Sequence, residues 1–462
     1  MKQTIKIFLI IAFSFGVSGC KGFDLKSAID MSQNYGINSN VDTNSTEPAN
    51  GSKALELLIN DAVVTPVDMD LTFSQVIKLA VENDPIVMTA RADYNATRSA
   101  EAVLLSQKDF QVNGLIMGGV EDVTDKTAGL GVVLNANRML FDGGHLAARI
   151  AAAQFDTSSA RHIVQARLEE RSYKLLSYWL DLERFEILNK KIDDRLNIVN
   201  PLILQLEEIA EAGVGDVSKV ASAQRTLSGI LVKKTELTQK LEKSRLDFLN
   251  SFGSMPGQTK FDGTEISKLV PSNLDDSYIN KAPFLLADFD SYRAAEANLA
   301  AVKSSRSYNL GFESRLSRPV GGSNLDSDES VGFVLSKTLY NGSMFGSKII
   351  QAEALVKTRA SVLRGTYREG KRTVESAMQN LASLTEAIQL AKENTIVTAD
   401  EIAYLRRQLV IGGSTLDSVL QAEARLYDAE AKGIEFVVEK QKAEASILAS
   451  LGLLAETFGL QP

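Results

Sequence analysis

The chain has 462 residues, of which 44% are hydrophobic and 23% charged, and its formal net charge is −8. This length allows two or three domains, the hydrophobic content excludes disorder as the general state, and the acidic balance argues against a nucleic-acid-binding protein. One cysteine and two histidines exclude an intramolecular disulfide framework and leave few routes to a metal site or to histidine catalysis. Only nine prolines are present, which favours long helices. The composition therefore indicates a scaffold without a cofactor rather than an enzyme.

The amino terminus has the layout of a secretory signal. Lys2 and Lys6 precede an apolar run over residues 7–17, which is too short to span a bilayer as a mature helix. The run ends in Val-Ser-Gly-Cys, which resembles the bacterial lipobox, so we expect residues 1–19 to be removed and Cys20 to carry a lipid. The alternative is an ordinary signal peptide with an incidental cysteine. Residues 20–52 are then the lipidated terminus and a polar tether.

The remaining chain repeats itself at an almost constant offset. Residues 140–144 recur 199 positions later as residues 339–343, and Gly213 recurs as Gly412. Such an offset, kept over more than a hundred residues, predicts the duplication of a whole structural unit. The predicted divisions are a first repeat over 53–253, a linker over 254–276, a second repeat over 277–454 and a tail over 455–462.

Each repeat contains segments that alternate with period two, which predicts strands. The alternation is clear at residues 130–136 and 331–335, where Arg138 and Lys337 follow at the end of the apolar face, and weaker strands are predicted at 110–118 and 308–316. All four approach the roughly 9–11 residues that a tilted strand needs to cross a bilayer, and the two basic side chains could reach its interface. Four strands cannot close a barrel, so several copies would have to contribute. Four strands of a soluble sheet are the alternative.

Long helices should follow the strands. Apart from Pro201, no stop signal lies between Gly144 and Gly213, and only isolated glycines lie between Gly346 and Gly412, so each helix should extend over about 65 residues, or roughly 100 Å. Heptad seams run through both helices. They are Leu175/Tyr178, Leu182/Phe185, Asn189/Ile192, Leu196/Val199 and Ile203/Leu206 in the first helix, and Val374/Ala377, Leu381/Leu384, Ile388/Ala391, Thr395/Thr398 and Ile402/Leu405 in the second. A returning helix should complete each antiparallel hairpin, and Pro201 should kink or briefly break the first long helix.

This order of features, duplicated behind a lipobox, resembles the TolC family of Gram-negative outer-membrane channel proteins over residues 71–454. The resemblance implies a mainly α fold with a membrane β part, in which a homotrimer forms a twelve-stranded β-barrel and a twelve-helix periplasmic α-barrel. It also implies passive export of substrate that arrives from an ATP-driven or proton-driven inner-membrane transporter through a periplasmic adaptor protein. The implied strand-to-helix exits are Asp142, Gly143, Gly144, Asn341 and Gly342.

The resemblance places two turns at the periplasmic tip, where the adaptor docks and the channel closes. The turn residues are Gly213, Val214 and Gly215 in the first hairpin and Gly412, Gly413, Ser414 and Thr415 in the second. The implied gate positions are Leu409, Asp417, Ser418, Gln421 and Lys219, most of which depart from the family pattern of a tip tyrosine and acidic constriction residues. We therefore expect the packing of the hairpins, and not a salt-bridged lock, to hold the gate. A plain helix cap is the alternative role of the glycines.

Two questions about function stay open at the level of sequence. A structural or adaptor lipoprotein, whose coiled coils bridge the envelope without a pore, is the alternative to a channel. Within the channel interpretation, efflux of drugs or metal ions and type I protein secretion use the same duct. The long returning helices and the lost acidic positions favour secretion slightly.

Overall fold

The structure, a computed structural model, describes residues 64–122, 127–213, 217–257, 261–273, 276–320, 327–411 and 413–461. In chain order these residues form α1 Phe73–Glu82, α2 Pro85–Ser106, β1 Gln111–Asp122, β2 Thr127–Phe141, α3 His145–Glu211, α4 Val217–Phe252, α5 Thr264–Leu269, α6 Asp276–Ile279, α7 Pro283–Ser304, β3 Asn309–Val320, β4 Asp328–Ser336, α8 Met344–Val410, α9 Leu416–Leu451 and α10 Leu454–Thr457. None of the helices in these ranges is both long and apolar enough to cross a lipid bilayer.

The lengths of the helices show the duplication directly. The long helices α3 and α8 both have 67 residues, the returning helices α4 and α9 both have 36, and α2 and α7 both have 22. The helices of each hairpin start 199 residues after their counterparts, the offset that the sequence predicts. The chain therefore contains one structural unit twice.

The first long helix continues through Pro201, so the predicted break is wrong. Proline removes one backbone donor from a helix, but tertiary packing supplies most of the stability of a helix in a folded protein. Val199 and Ile203 are buried on either side of Pro201 and hold the helix against its neighbours. A kink without a break stays a prediction.

The predicted seams form the contacts between helices. In α3 the seam residues Leu175, Leu182, Ile192 and Val199 are buried, and α3 packs on both α4 and α9. In α8, which packs on α9, the buried residues are Val374, Ala391, Thr398 and Ile402, all of them predicted seam positions. The rest of the second seam is only half-buried or exposed within this single chain.

A second core surrounds Trp179, at the level where the returning helices end. The indole contacts Phe73 edge-on at a ring-centroid distance of 4.9 Å and lies 5.3 Å from the ring of Phe248. Leu454 and Phe458, from the end of the chain, are buried in the same cluster. Trp179 therefore serves packing, and this core joins α1 and the carboxyl-terminal segment to α3 and α4.

Two ionisable side chains of α3 bind partners from distant elements, and of these Glu169 is buried and His162 is half-buried. Glu169 is 3% exposed, and its Oε2 accepts hydrogen bonds from the backbone N–H groups of Leu454 and Ala455 at 2.9 Å. Burial raises the pKa of Glu169 to about 8, against the opposing effect of these two donors. His162 lies 3.5 Å from the carboxylate of Asp290, and burial lowers the pKa of its imidazole although Asp290 raises it. The partners come from elements 128 or more residues away, so the local pattern of α3 does not indicate either contact.

The four strands form one antiparallel sheet in the order β1, β2, β3, β4. The pairing of β2 with β3, in which Leu134 lies opposite Leu316, joins the two repeats. β1 extends to Asp122 and β3 to Val320, four residues beyond the predicted ends in both cases, because cross-strand hydrogen bonds continue past the alternating pattern.

Candidate functional site

The first strand-to-helix exit is a tightly bonded turn. The Asp142 carboxylate accepts hydrogen bonds from the backbone N–H groups of Gly144 at 3.0 Å and Leu146 at 2.6 Å, and so caps α3. Gly143 and Gly144 have φ values of 66° and 86°, a left-handed backbone that favours glycine. His145 Nδ1 donates to the carbonyl of Ala301 at 2.7 Å. These bonds fix the start of α3 against the end of α7.

The second exit shares one left-handed glycine with the first but lacks these contacts. Gly342 has a φ of 64°, whereas Ser343, which stands where the first exit has Gly144, has a φ of −81°. No side-chain hydrogen bond caps α8, and a Cβ on Gly342 would meet no atom of the described residues within 4 Å. Asn341 is exposed, and Leu339 and Tyr340 are 85% and 88% exposed. The second exit is therefore more open than the first within the described residues, where the Arg306 guanidinium lies 5.4 Å from the centroid of the nearby Phe345 ring.

At the tips, the described residues give part of each turn. Gly213 has a φ of 74° and donates its N–H to Ala210, which ends α3. In the second hairpin, Ser414 Oγ donates to the carbonyl of Leu405 at 2.7 Å, and Thr415 Oγ1 accepts from the Ser418 N–H at 3.2 Å to cap α9. Gly413 donates its N–H to the Gln408 carbonyl. Val214, Gly215, Gly412 and the predicted lipid site Cys20 lie outside the described residues.

The predicted gate positions fall into two groups. Leu409 packs against the apolar cluster between the hairpins, beside Leu416 and Leu420. Lys219 and Gln421 are exposed, and Ser418 is half-buried. Asp417 accepts a hydrogen bond from Gln421 Nε2 at 2.9 Å, while its Oδ1 is buried and has no hydrogen-bond partner within the described residues. The structure thus brings Leu409 into the contact between hairpins and leaves the polar positions at its margin.

Polar contacts between the hairpins, which sequence reasoning missed, lie farther from the tip. Lys233 Nζ lies 2.5 Å from the Asp428 carboxylate, and the Arg195 guanidinium and Lys233 ammonium lie 5.1 and 4.9 Å from the centroid of the Tyr427 ring. Burial raises the pKa of Tyr427 to about 12, despite the opposing charge of Arg195, and burial also lowers the pKa of Arg195. The sequence pattern does not indicate these contacts, because each pair joins positions about 200 residues apart.

The sheet has one apolar and one polar face. Paired residues on the apolar face include Phe312 with Phe333 and Leu310 with Leu335, whereas Asn137 with Glu313 and Asn135 with Arg315 lie on the other. The apolar side chains are open to solvent in the single chain, with Val331 at 72% and Phe333 at 70% exposure. An exposed apolar surface of this kind indicates contact with a membrane or with another protein.

Comparison with known proteins assigns these features to a family. Residues 290–453, which contain most of α7 and all of β3, β4, α8 and α9, match the family of outer membrane efflux proteins. The match covers 164 of the 462 residues. Outer membrane efflux protein BepC of Brucella suis biovar 1 is 19% identical over 420 residues, which cover 88% of this chain and 91% of BepC. The resemblance to the TolC family is thereby confirmed, and the names of the matched family and of BepC both describe efflux at the outer membrane.

Solved structures of outer-membrane channels share the fold. CusC matches with a TM-score of 0.72 at 16% identity, over 84% of this chain and 96% of CusC. The open state of the Neisseria gonorrhoeae MtrE outer membrane channel matches with a TM-score of 0.72 at 13% identity, over 84% of this chain and 94% of MtrE. At these identities the matches show that the chain shares the fold of outer-membrane channel proteins.

Proposed function

We propose that three copies of this chain form an outer-membrane exit duct through which the substrate of an efflux pump leaves the cell passively. The four-stranded sheet carries the proposal, because it combines an exposed apolar face with two edges, β1 and β4, that have no second partner in the described part of the chain. In a bilayer the backbone N–H and C=O groups of such edges would lack hydrogen bonds. Closure with other copies satisfies them, and three chains give the twelve strands of the TolC family.

The exposed faces of the helices also favour assembly with other copies of the chain. Within the chain α3 and α9 pack together, so α4 and α8 form the two flanks of the helical part. Both flanks expose large apolar side chains, among them Leu231 and Val232 on α4 and Ile396 and Val397 on α8. Packing α8 of one copy against α4 of the next would bury these side chains and complete the second seam.

The internal repeat predicts how two copies pair. Within the chain β2 pairs with β3, and the pairs include Ala136 with Ser314, Met139 with Gly311 and Phe141 with Leu310. By the repeat offsets, β4 is the counterpart of β2 and β1 is the counterpart of β3. Adding 199 to the first residue number of each pair and subtracting 198 from the second therefore gives the expected contact of β4 with β1 of the next copy. The predicted pairs are Leu335 with Ile116, Thr338 with Asn113 and Tyr340 with Val112. Apolar residues meet apolar residues and polar meet polar, as a shared barrel requires.

A disulfide can test this register. The chain with Leu335→Cys and Ile116→Cys should form intermolecular bridges on mild oxidation, and the cross-linked products on a denaturing gel should end at three chains. Leu335→Cys with Leu115→Cys is the matched control, because Leu115 points to the opposite face of β1. The single variant Leu335→Cys shows whether a disulfide forms with Cys20 instead. Equal bridging at 115 and 116, or products longer than three chains, would contradict the proposal.

Conductance separates a duct from a structural lipoprotein without a pore. The cross-linked trimer in a planar bilayer should conduct in discrete steps. With native tips it should be closed most of the time. We propose that Leu409 holds the gate through packing, so Leu409→Ala should increase the open fraction, whereas Leu204→Ala, an exposed leucine near the same end, should not. A trimer that stays silent with both variants would exclude the duct, and equal effects of the two variants would exclude the gate.

The partners and the anchor are proposed from the TolC resemblance. The exposed Val410 and Ile411 at the second tip are suited to bind a periplasmic adaptor, which would link the duct to an inner-membrane transporter. The efflux names of the family and of BepC favour a pump over a type I secretion system. Affinity capture of the membrane complex, followed by mass spectrometry, should recover an adaptor and its transporter and find an acyl mass on Cys20 that Cys20→Ala lacks. A protein-exporting ATP-driven transporter in the capture would contradict efflux, and an unmodified Cys20 would contradict the anchor.

A further inference from the structure

Basic side chains occur at equivalent positions of both repeats where the sheet meets the long helices. One pair follows α2 and α7, one lies at the ends of β2 and β4, and one lies near the starts of α3 and α8. We call these six residues the basic belt: Lys108, Arg138 and Arg149 in the first repeat, and Arg306, Lys337 and Lys348 in the second. Each pair joins one lysine with one arginine, so the two repeats share the charge at these positions and not the residue type.

The charges of the belt have no acidic partner inside the described part of the chain. All six side chains are exposed, and within the described residues none of them forms an ion pair with a carboxylate. In contrast Lys303, one turn before Arg306, lies 3.4 Å from the carboxylate of Glu353. Six basic side chains without acidic partners at one level of the molecule indicate an anionic partner from outside the chain.

Aromatic rings fix two of these cations at the end of the apolar sheet face. The Arg138 guanidinium lies 5.2 Å from the centroid of the Phe110 ring, and its Nε donates to the Lys108 carbonyl at 3.0 Å. The Lys337 ammonium lies 4.2 Å from the centroid of the Tyr308 ring, which is the equivalent position in the second repeat. Aromatic and basic side chains at the end of an apolar band are typical of a membrane interface.

We propose that the basic belt binds the phosphate groups of anionic phospholipids in the membrane leaflet nearest to the helices. This inference rests on the proposed function, because it needs the sheet to stand in a bilayer. Arg138 and Lys337 lie on the apolar face of the sheet, so their charges face lipid, whereas a ring that attracts anionic cargo would lie on the polar face that carries Asn137 and Glu313. The belt would hold the sheet at a fixed depth.

Competition between two lipids tests the belt. The full-length trimer is incubated in detergent with equal amounts of phosphatidylglycerol and phosphatidylcholine that have the same acyl chains, and the retained lipids are counted by native mass spectrometry. Since one basic residue near an anionic surface changes affinity about fivefold, Arg138→Gln with Lys337→Gln should lower the ratio of retained phosphatidylglycerol to phosphatidylcholine by at least about fivefold. Lys240→Gln with Lys243→Gln, two exposed lysines of α4, removes the same charge and should leave the ratio unchanged.

The outcomes separate the belt from the duct. A trimer that inserts into bilayers and conducts, but retains the two lipids equally, would overturn the belt alone. If the belt variant keeps the native lipid ratio and instead changes the anion selectivity of the conductance, the cations line the lumen and the proposal is wrong. A chain that neither inserts into bilayers nor retains phospholipid would overturn the proposed function as well. Circular dichroism and the trimer fraction check that the variants fold, which their exposed positions favour.

Discussion

Gly143→Ala should destabilise the folded chain, whereas Gly342→Ala should leave the chain folded and reduce its assembly into trimers. The two glycines occupy equivalent exits with φ values of 66° and 64°, so alanine costs about 1–2 kcal/mol of backbone strain at either position. A Cβ on Gly143 would also overlap the Cβ and Oγ of Ser307. Relief of that overlap requires the backbone to move, which adds about 1–3 kcal/mol.

The difference at Gly342 comes from the proposed neighbour. No atom of the described residues lies within 4 Å of a Cβ placed there. The repeat offset places Asp109 of the next copy where Ser307 stands beside Gly143, so the overlap would arise only on assembly. Trp179 fluorescence should give a lower melting temperature for Gly143→Ala, and light scattering of the detergent-solubilised protein should give a smaller trimer fraction for Gly342→Ala. Normal assembly of Gly342→Ala would show that the register between copies is wrong.

The parts of the fold that the sequence predicted are those that repeat or have a short period. The offset of 199 residues located both hairpins, and the heptad pattern identified all four buried residues of α8 but only part of the buried residues of α3. The alternating pattern found the clear strands but ended the weaker ones too early, because backbone pairing extends a strand beyond its apolar residues. Local patterns therefore predicted the elements and their contacting faces.

Pairs that join distant elements could not be predicted in this way. Glu169 follows the pattern of a solvated helix face, yet its carboxylate binds the start of α10 some 285 residues later. The contact of Tyr427 with Arg195 is of the same kind. In the candidate site, the sequence found the exit and turn residues through their glycines, whereas the exposure of the second exit became visible only when both exits could be compared in the structure. Residue type and spacing carry no information about a partner that another element supplies.

Arg171→Met should lower the free energy of unfolding by about 3–5 kcal/mol, because it leaves a carboxylate buried without its cation. The Asp84 carboxylate is 8% exposed and lies 2.5 Å from Arg171 Nη2 and 2.7 Å from its Nε. Its other oxygen accepts from the Ile86 N–H at 2.9 Å and caps α2. The pair thus ties the start of α2 to α3, and melting or denaturant unfolding in detergent can measure its loss.

The second repeat supplies the control for this experiment. The offsets place Ala282, Phe284 and Gly370 where the first repeat has Asp84, Ile86 and Arg171. A Cβ on Gly370 would lie 2.6 Å from the Phe284 ring, so the ring occupies the space that the ion pair fills in the first repeat. Transfer of all three residues, as Asp84→Ala, Ile86→Phe and Arg171→Gly, should therefore recover much of the stability that Arg171→Met loses, since a buried ion pair can be replaced by well-packed apolar groups. If the triple variant is less stable than Arg171→Met, the two repeats do not use this place in the fold in equivalent ways, and the ion pair has a role that packing cannot replace.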